Sequence, residues 1–309
     1  MLRAGLLRAA ASPRVRHTIE RTPATRAVVN RFVAGESTTE AIAACRRLIR
    51  RGCLVTLDYL GEDTTNPAQA RGVVTHYHEV LDGLRAAGIA QDVEMSVKLS
   101  ALGQALASDG ESVALTHATE IASAARDCGT SVTVDMENHL TTDSTLRVVR
   151  RLRAEFPATG AVIQAYLHRS LEDCRALAHP GSRVRLCKGA YREPSTVAYQ
   201  DREEIRRSYV RCADTLMSGG ATPLLATHDP RLVTQVRRLV AQHGLRRDNF
   251  EFQMLYGVRP NEQERLVADG FRVRVYVPFG EEWYGYLMRR MAERPANLAL
   301  FLRSLTSRN

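Results

Sequence analysis

Short apolar runs alternate with longer amphipathic stretches along most of the chain, and their two periods, about 2 and about 3.6 residues, separate strands from helices. From Ser37 to Arg51 the apolar positions Ala41, Ile42, Leu48 and Ile49 recur at helical spacing behind Ser37 and Glu40, a capping-box start. CLVTLDYL (53–60) then predicts a strand stopped at Gly61, and an amphipathic helix runs on to about Gly88. The same unit repeats. EMSVKLS (94–100) precedes a helix over Glu111–Cys128, SVTVDME (131–137) one over Asp143–Glu155, and AVIQAYL (161–167) one starting near Leu171. RVRLCKG (183–189) is followed by a helix over Arg202–Met217, PLLAT (223–227) by one over Pro230–His243, and FEFQMLYG (250–257) by one around Glu262–Ala268. RVRVYVP (272–278), with Val273, Val275 and Val277 alternating, closes the series at Pro278 and Gly280. A helix carrying Tyr286, Arg289 and Arg290 follows, and a last helix is expected over Ala296–Ser304.

Strands that alternate with helices run parallel, because a parallel neighbour is reached only by a crossover long enough to bring the chain back. Eight such units in 309 residues predict an α/β fold of the (βα)8 TIM-barrel type, with extra N-terminal helices and a final helix. No GxGxxG follows any strand, which weakens the alternative of a doubly wound dinucleotide-binding sheet. The expected division is a basic arm over residues 1–36 and one barrel domain over 37–309.

The net charge of +9 is unevenly spread. Residues 1–31 hold seven Arg against Glu20, and the remainder carries 36 basic and 33 acidic side chains, a nearly balanced surface. A nucleic-acid module would therefore rest on the arm alone, and nucleic acid is not an expected partner of the barrel. The Arg-rich, acid-poor start suits a mitochondrial transit peptide or an amphipathic helix on an anionic membrane equally well. No apolar run approaches the roughly 20 residues of a membrane span. Six cysteines without a CxxC pair read as reduced core thiols, so a reducing compartment is expected: the cytoplasm, with or without a peripheral seat at the inner face of the membrane, or the mitochondrial matrix in a eukaryote.

In a parallel barrel the carboxyl ends of all strands share one face, so residues there converge however far apart they lie in sequence. Those ends carry Glu62, Lys98, Asp135, Gln164, Arg185, Lys188, Thr227, His228, Glu251, Gln253 and Tyr276. Singly each has an ordinary explanation, such as a helix cap for Asp135 or a helix start for His228-Asp229-Pro230. Together they imply a ligand, because so many charges are costly to desolvate unpaired. Lys98, Arg185, Lys188, Arg289 and Arg290 favour a polyanion together with a small carboxylate, which paired guanidiniums grip with parallel hydrogen bonds. Lys188-Gly189-Ala190 would let backbone amides approach a pyrophosphate or a flat ring. A rival reading is a metal-dependent lyase with Asp135, Glu137, Glu251 and His228 as ligands, which the nearby cations oppose; no metal is expected.

The text SVKLSALG, VDMENH, IQAYL, RLCKGAY, ATHD, EFQMLYG and YVPFGEEWYGYLMRR resembles the flavin-dependent proline dehydrogenases, over about Leu54 to Arg294. The resemblance implies a distorted eight-fold barrel with FAD at the strand ends and the eighth helix over its mouth. With no aldehyde dehydrogenase domain in these 309 residues, the chain looks like a monofunctional member. By position, Lys98, Arg289 and Arg290 would hold the proline carboxylate, Tyr276 and Tyr286 would shape the ring pocket, and Asp135 would orient the cations. Glu62 resembles the acid that pairs with the first arginine to close the site. Met136, Gln164, Arg185, Lys188, Gly189, Ala190, Thr227, His228, Glu251 and Gln253 resemble flavin contacts, with Arg185 near the reactive ring atoms. Hydride would pass from proline C5 to flavin N5, yielding Δ1-pyrroline-5-carboxylate, once the amine is unprotonated, a form that a cationic pocket favours. The implied partners are L-proline, a membrane quinone as electron acceptor, and a separate pyrroline-5-carboxylate dehydrogenase.

Overall fold

A computed structural model describes residues 29–62 and 64–293, the last five as backbone only. Its elements are α1 (Thr38–Ile49), β1 (Leu54–Tyr59), α2 (Pro67–Ala87), β2 (Val93–Val97), α3 (Gly110–Asp127), β3 (Val132–Val134), α4 (Thr142–Glu155), β4 (Ala161–Gln164) and α5 (Ser170–Leu177). They continue as β5 (Arg183–Cys187), α6 (Arg202–Ser218), β6 (Thr222–Ala226), α7 (Pro230–Gln242), β7 (Glu251–Leu255), α8 (Pro260–Ala268), β8 (Val273–Phe279) and α9 (Trp283–Glu293). The arm up to residue 28 and the expected helix Ala296–Ser304 lie outside the described residues.

Local chemistry starts these helices where the sequence predicts. Ser37 Oγ accepts from Glu40 N (3.3 Å) while Glu40 Oε2 accepts from Ser37 N (3.1 Å), so the capping box of α1 is complete. Asp229 caps α7, accepting from Arg231 N at 3.0 Å, with Pro230 at the first position, where its missing N–H costs nothing.

The strands are parallel in the order β3-β2-β1-β8-β7-β6-β5-β4. The ends of this sheet meet through one bridge, Thr133 to Gly160. There Val134 N donates to Gly160 O (3.0 Å) and Gly160 N to Val132 O (2.9 Å). The (βα)8 ring closes at this seam, which only glycine permits: a Cβ on residue 160 would lie 2.2 Å from Thr133 Oγ1. Outside the ring, Val273, Val275, Val277, Leu57 and Met95 are buried with Leu81, Leu84 and Ile121 of the surrounding helices in one core. Each such side chain contributes about 1.5–3 kcal/mol.

Several strands stop sooner than their apolar runs. β2 ends at Val97, β3 at Val134 and β6 at Ala226, so Lys98, Asp135 and Thr227 stand just past strand ends. The runs overshoot because loop residues such as Leu99 and Met136 are themselves buried under neighbouring elements.

After β8 comes α9. Its Trp283, Tyr286, Leu287 and Met288 pack with Val29, Phe32, Val33, Leu60 and Val258 in a cluster separate from the main core. Residues 29–36, expected as the end of the basic arm, are stitched to the barrel here. Ala34 N donates to Pro278 O (2.9 Å), Gly280 N to Gly35 O (3.0 Å), and Trp283 Nε1 to Glu36 Oε1 (3.0 Å). The six cysteines form no disulfide, and all but Cys187 are buried.

Candidate active site

Polar residues on the strands recur every second position, at Thr56 and Asp58, Glu94 and Ser96, Arg183 and Arg185, Glu251 and Gln253, Arg274 and Tyr276. A period of two puts each set on one face, and hydrogen bonds between strands identify that face as the inside of the ring. Lys98 and Asp135 continue the pattern past β2 and β3.

Near the mouth, Lys98 Nζ donates to Asp58 Oδ1 at 2.5 Å and lies 3.6 Å from Asp135 Oδ2 and 3.4 Å from the Tyr276 hydroxyl. The Tyr276 hydroxyl donates to Asp135 Oδ2 at 2.7 Å. Burial, reinforced by Asp135, pushes the phenol well above its usual range and keeps it a donor. Burial opposes the charge on Lys98, but Asp58 and Asp135 outweigh it and raise the lysine above its ordinary value.

One layer deeper, Arg185 Nη1 donates to Asp135 Oδ1 (2.7 Å) and Ser96 Oγ (3.0 Å), Nη2 to Glu94 Oε1 (2.9 Å), and Nε to Gln253 Oε1 (2.7 Å). Its guanidinium carbon stands 5.2 Å from the centre of the Tyr276 ring. Asp135 thus joins the lysine to the arginine.

The described part of the pocket is not cationic by itself. Inside the described ring, Lys98, Arg183, Arg185 and Arg274 face Asp58, Glu94, Asp135 and Glu251, which balances the charge. Asp58, only 1% exposed, is the main residue that the sequence-based candidates omit. Its signal was available: an acid two positions after an inward Thr56 in an otherwise apolar strand. Any excess positive charge must come from elsewhere, and the side chains of Arg289 and Arg290, on the last turns of α9, lie outside the described residues.

The expected cofactor residues divide in two. Gln164, Lys188, Gly189, Ala190, Thr227 and His228 cluster where β4, β5 and β6 end. Gln164 Nε2 donates to Glu137 O (2.7 Å), Lys188 Nζ to Asp229 Oδ2 (2.8 Å), and Leu255 N to His228 Nε2 (2.8 Å). Gly189 has φ +107° and its backbone abuts Tyr166, so that a Cβ would lie 2.2 Å from the ring. Met136, just past β3, is buried. Gln253 sits deeper, on Arg185. Glu251 is not brought to the mouth: it is the first residue of β7, and its carboxylate accepts from Arg274 Nε (2.7 Å) and Arg272 (3.1 Å). It also stands apart from Asp135, Glu137 and His228, and among the described residues no group of His, Cys, Asp and Glu could hold a metal ion. Glu62 is half-buried and close enough to act electrostatically on Lys98, and Tyr286 is buried in the α9 cluster.

Fold and site are those of a (βα)8-barrel enzyme with an ionic cluster at its mouth. The family model described as proline dehydrogenase matches residues 41–302, and the chain belongs to the proline dehydrogenase family. It is 42% identical over 280 residues to the proline dehydrogenase of Deinococcus radiodurans, covering 90% of each chain. To proline dehydrogenase 1 of Bacillus subtilis it is 38% identical over 281 residues, 91% of each. Among solved structures it is similar to proline utilization A from Bdellovibrio bacteriovorus inactivated by N-propargylglycine, with TM-score 0.81 and 27% identity over 87% of this chain and 33% of that one. The chain therefore spans about a third of that larger protein and nearly all of the two shorter relatives. It is a proline dehydrogenase, similar to bacterial enzymes of about its own length. No described helix is long and apolar enough to cross a membrane.

Proposed function

We propose that this enzyme oxidises L-proline to Δ1-pyrroline-5-carboxylate with FAD, the first step of proline catabolism to glutamate. The observation that carries the reading is the hydrogen-bonded set Lys98, Asp135, Tyr276 and Arg185 at the mouth of a barrel of this family. When bound, FAD supplies the acceptor for the hydride that leaves C5 of proline. Three features support that cofactor. The backbone at Gly189 forms a shelf too tight for a side chain. Lys188, 37% exposed, offers a cation to a phosphate. Four of the five Arg185 N–H groups are committed to described residues, which leaves one for a polar ring atom. Gln164, Met136, Ala190, Thr227 and His228 would complete the cofactor's surroundings, whereas Glu251 would act only through Arg274 and Gln253.

Within that reading Lys98, Arg289 and Arg290 hold the substrate carboxylate. Lys98 is already matched by two acids, so the arginines of α9 provide the excess charge. That charge disfavours the protonated amine and so favours the form that can release hydride. Tyr276, with Tyr286, bounds the ring, and Glu62 pairs with Arg289 to close the site. Electrons then pass to a membrane quinone, visited from the cytoplasmic or matrix side, and the product passes to a separate pyrroline-5-carboxylate dehydrogenase.

The test is anaerobic titration of the purified protein with proline and with hydroxyproline. Flavin absorbance bleached by proline at lower concentration is the expected result, and a colourless protein that takes up no FAD overturns the reading. Turnover with a soluble quinone analogue, against oxygen alone, tests the acceptor.

A further inference from the structure

Glu137, two residues past Asp135 and 5% exposed, has no part in the scheme above, yet its carboxylate is fully engaged. Ser100 donates to it twice, from N to Oε1 (3.1 Å) and from Oγ to Oε2 (2.5 Å). Ser100 opens the short helical turn that follows Lys98. That turn receives the connection after β1: Thr64 N donates to Ser100 O (3.1 Å) and Thr64 Oγ1 to Ala101 O (3.2 Å). Glu62 lies two residues before Thr64. Hydrogen bonds therefore run from the end of β3, through the turn after β2, to Thr64, in the same connection as Glu62.

We propose that Glu137 is a positioning residue for Glu62: it anchors the Ser100 turn, and that turn holds Thr64 and with it the closing acid. The inference deepens the proposed function by naming what sets the closing group in place. A carboxylate suits this role because it accepts two donors at once, one from backbone and one from side chain, without offering a donor of its own. Burial pushes the Glu137 carboxyl up to about 7; the Ser100 bonds and the charge of Lys98 pull it down, and Glu62 pushes it further up. Among the described residues, Lys98 and Glu62 are charged groups that act on it through space. Above pH about 7 the ionised group accepts both Ser100 donors; below, protonation removes one acceptor and slackens the anchor.

Two measurements on the purified full chain test this. Hydrogen–deuterium exchange, read without substrate, should show the amides around Thr64 exchanging faster in Glu137→Ala than in the unaltered protein, with the barrel strands unchanged. Ser100→Ala, which keeps the backbone donor, should give a smaller shift of the same sign and serves if Glu137→Ala fails to fold. In steady state, Glu137→Ala should lower kcat/KM for proline by about 10- to 100-fold, mainly through KM. Adding it to Glu62→Ala should then cost little more, because both substitutions remove the same act. The extra rise in KM below pH about 7, beyond the steady rise that protonation of the proline amine imposes, should disappear in Glu137→Gln. Unchanged exchange at Thr64, or effects of Glu62→Ala and Glu137→Ala that simply multiply, would overturn the proposal. The exchange experiment stands even if proline proves not to be oxidised, so the two failures are distinguishable.

Discussion

Glu94→Gln removes one buried charge and little volume, and so isolates the electrostatics of the barrel interior. Glu94, 2% exposed, accepts from Arg185 at 2.9 Å, Arg183 at 2.5 Å and Thr56 at 3.2 Å. Burial alone would raise its pKa, but Arg274, Arg183 and Arg185 outweigh burial and bring it from 4.5 down to about 2. A depression of that size corresponds to about 3 kcal/mol. Removing one partner of a buried pair costs about 3–5 kcal/mol, because the arginines cannot shed their charge. For a chain of 309 residues the unfolding entropy converts this into a fall in Tm of about 5–8 °C at neutral pH. The sign with pH follows from the lowered value: the stabilisation is complete above about 4.5 and is lost as pH falls through about 2, so the gap between variant and unaltered protein narrows across that window. Scanning calorimetry from acid to neutral pH provides the reading. Adding Arg183→Met restores charge balance and should recover part of the loss. A fall in Tm of under about 1 °C at pH 7, or no recovery in the double variant, would refute the reasoning.

Other substitutions test separate parts. Gly160→Ala forces a Cβ onto Thr133 at the bridge that joins β3 to β4, and should destabilise by about 1–3 kcal/mol in urea denaturation; an unchanged midpoint would mean that the seam yields freely. Arg290→Met should raise KM for proline by orders of magnitude with flavin still bound, and unchanged kinetics would remove it from the carboxylate clamp. Arg185→Ala breaks the bonds to Asp135, Glu94, Ser96 and Gln253 together, and should lower flavin occupancy or reduction potential; a variant equal to the unaltered protein in both would contradict its place beside the cofactor.

Much of the fold was legible before any coordinates, because its determinants are local. Alternating valines in RVRVYV, the Ser37–Glu40 box and the Asp229-Pro230 start act within a few residues, so they marked strands and helices to within a few positions. The topology of a parallel barrel then forced Lys98, Asp135, Arg185 and Tyr276 toward one region, wherever each strand stood in the ring. Strand ends were less legible, because buried loop residues such as Leu99 and Met136 extend the apolar pattern past the last ladder bond.

Sequence alone therefore determined which residues of a strand share a face, since a two-residue period does that within each strand, while the hydrogen bonds between strands showed which face is the inside. Only the tertiary structure decided which of those residues meet. Asp58 lies 40 positions before Lys98, and Glu94 lies 91 from Arg185. The stagger between strands matched the cations inside the described ring with acids, and put Glu251 on Arg274 at the start of β7, away from the mouth. It also placed the ring's closure at Gly160. Register is a collective property of eight strands and their helices, settled by packing and by the cost of leaving a buried charge unmatched, and no single segment of the chain carries it.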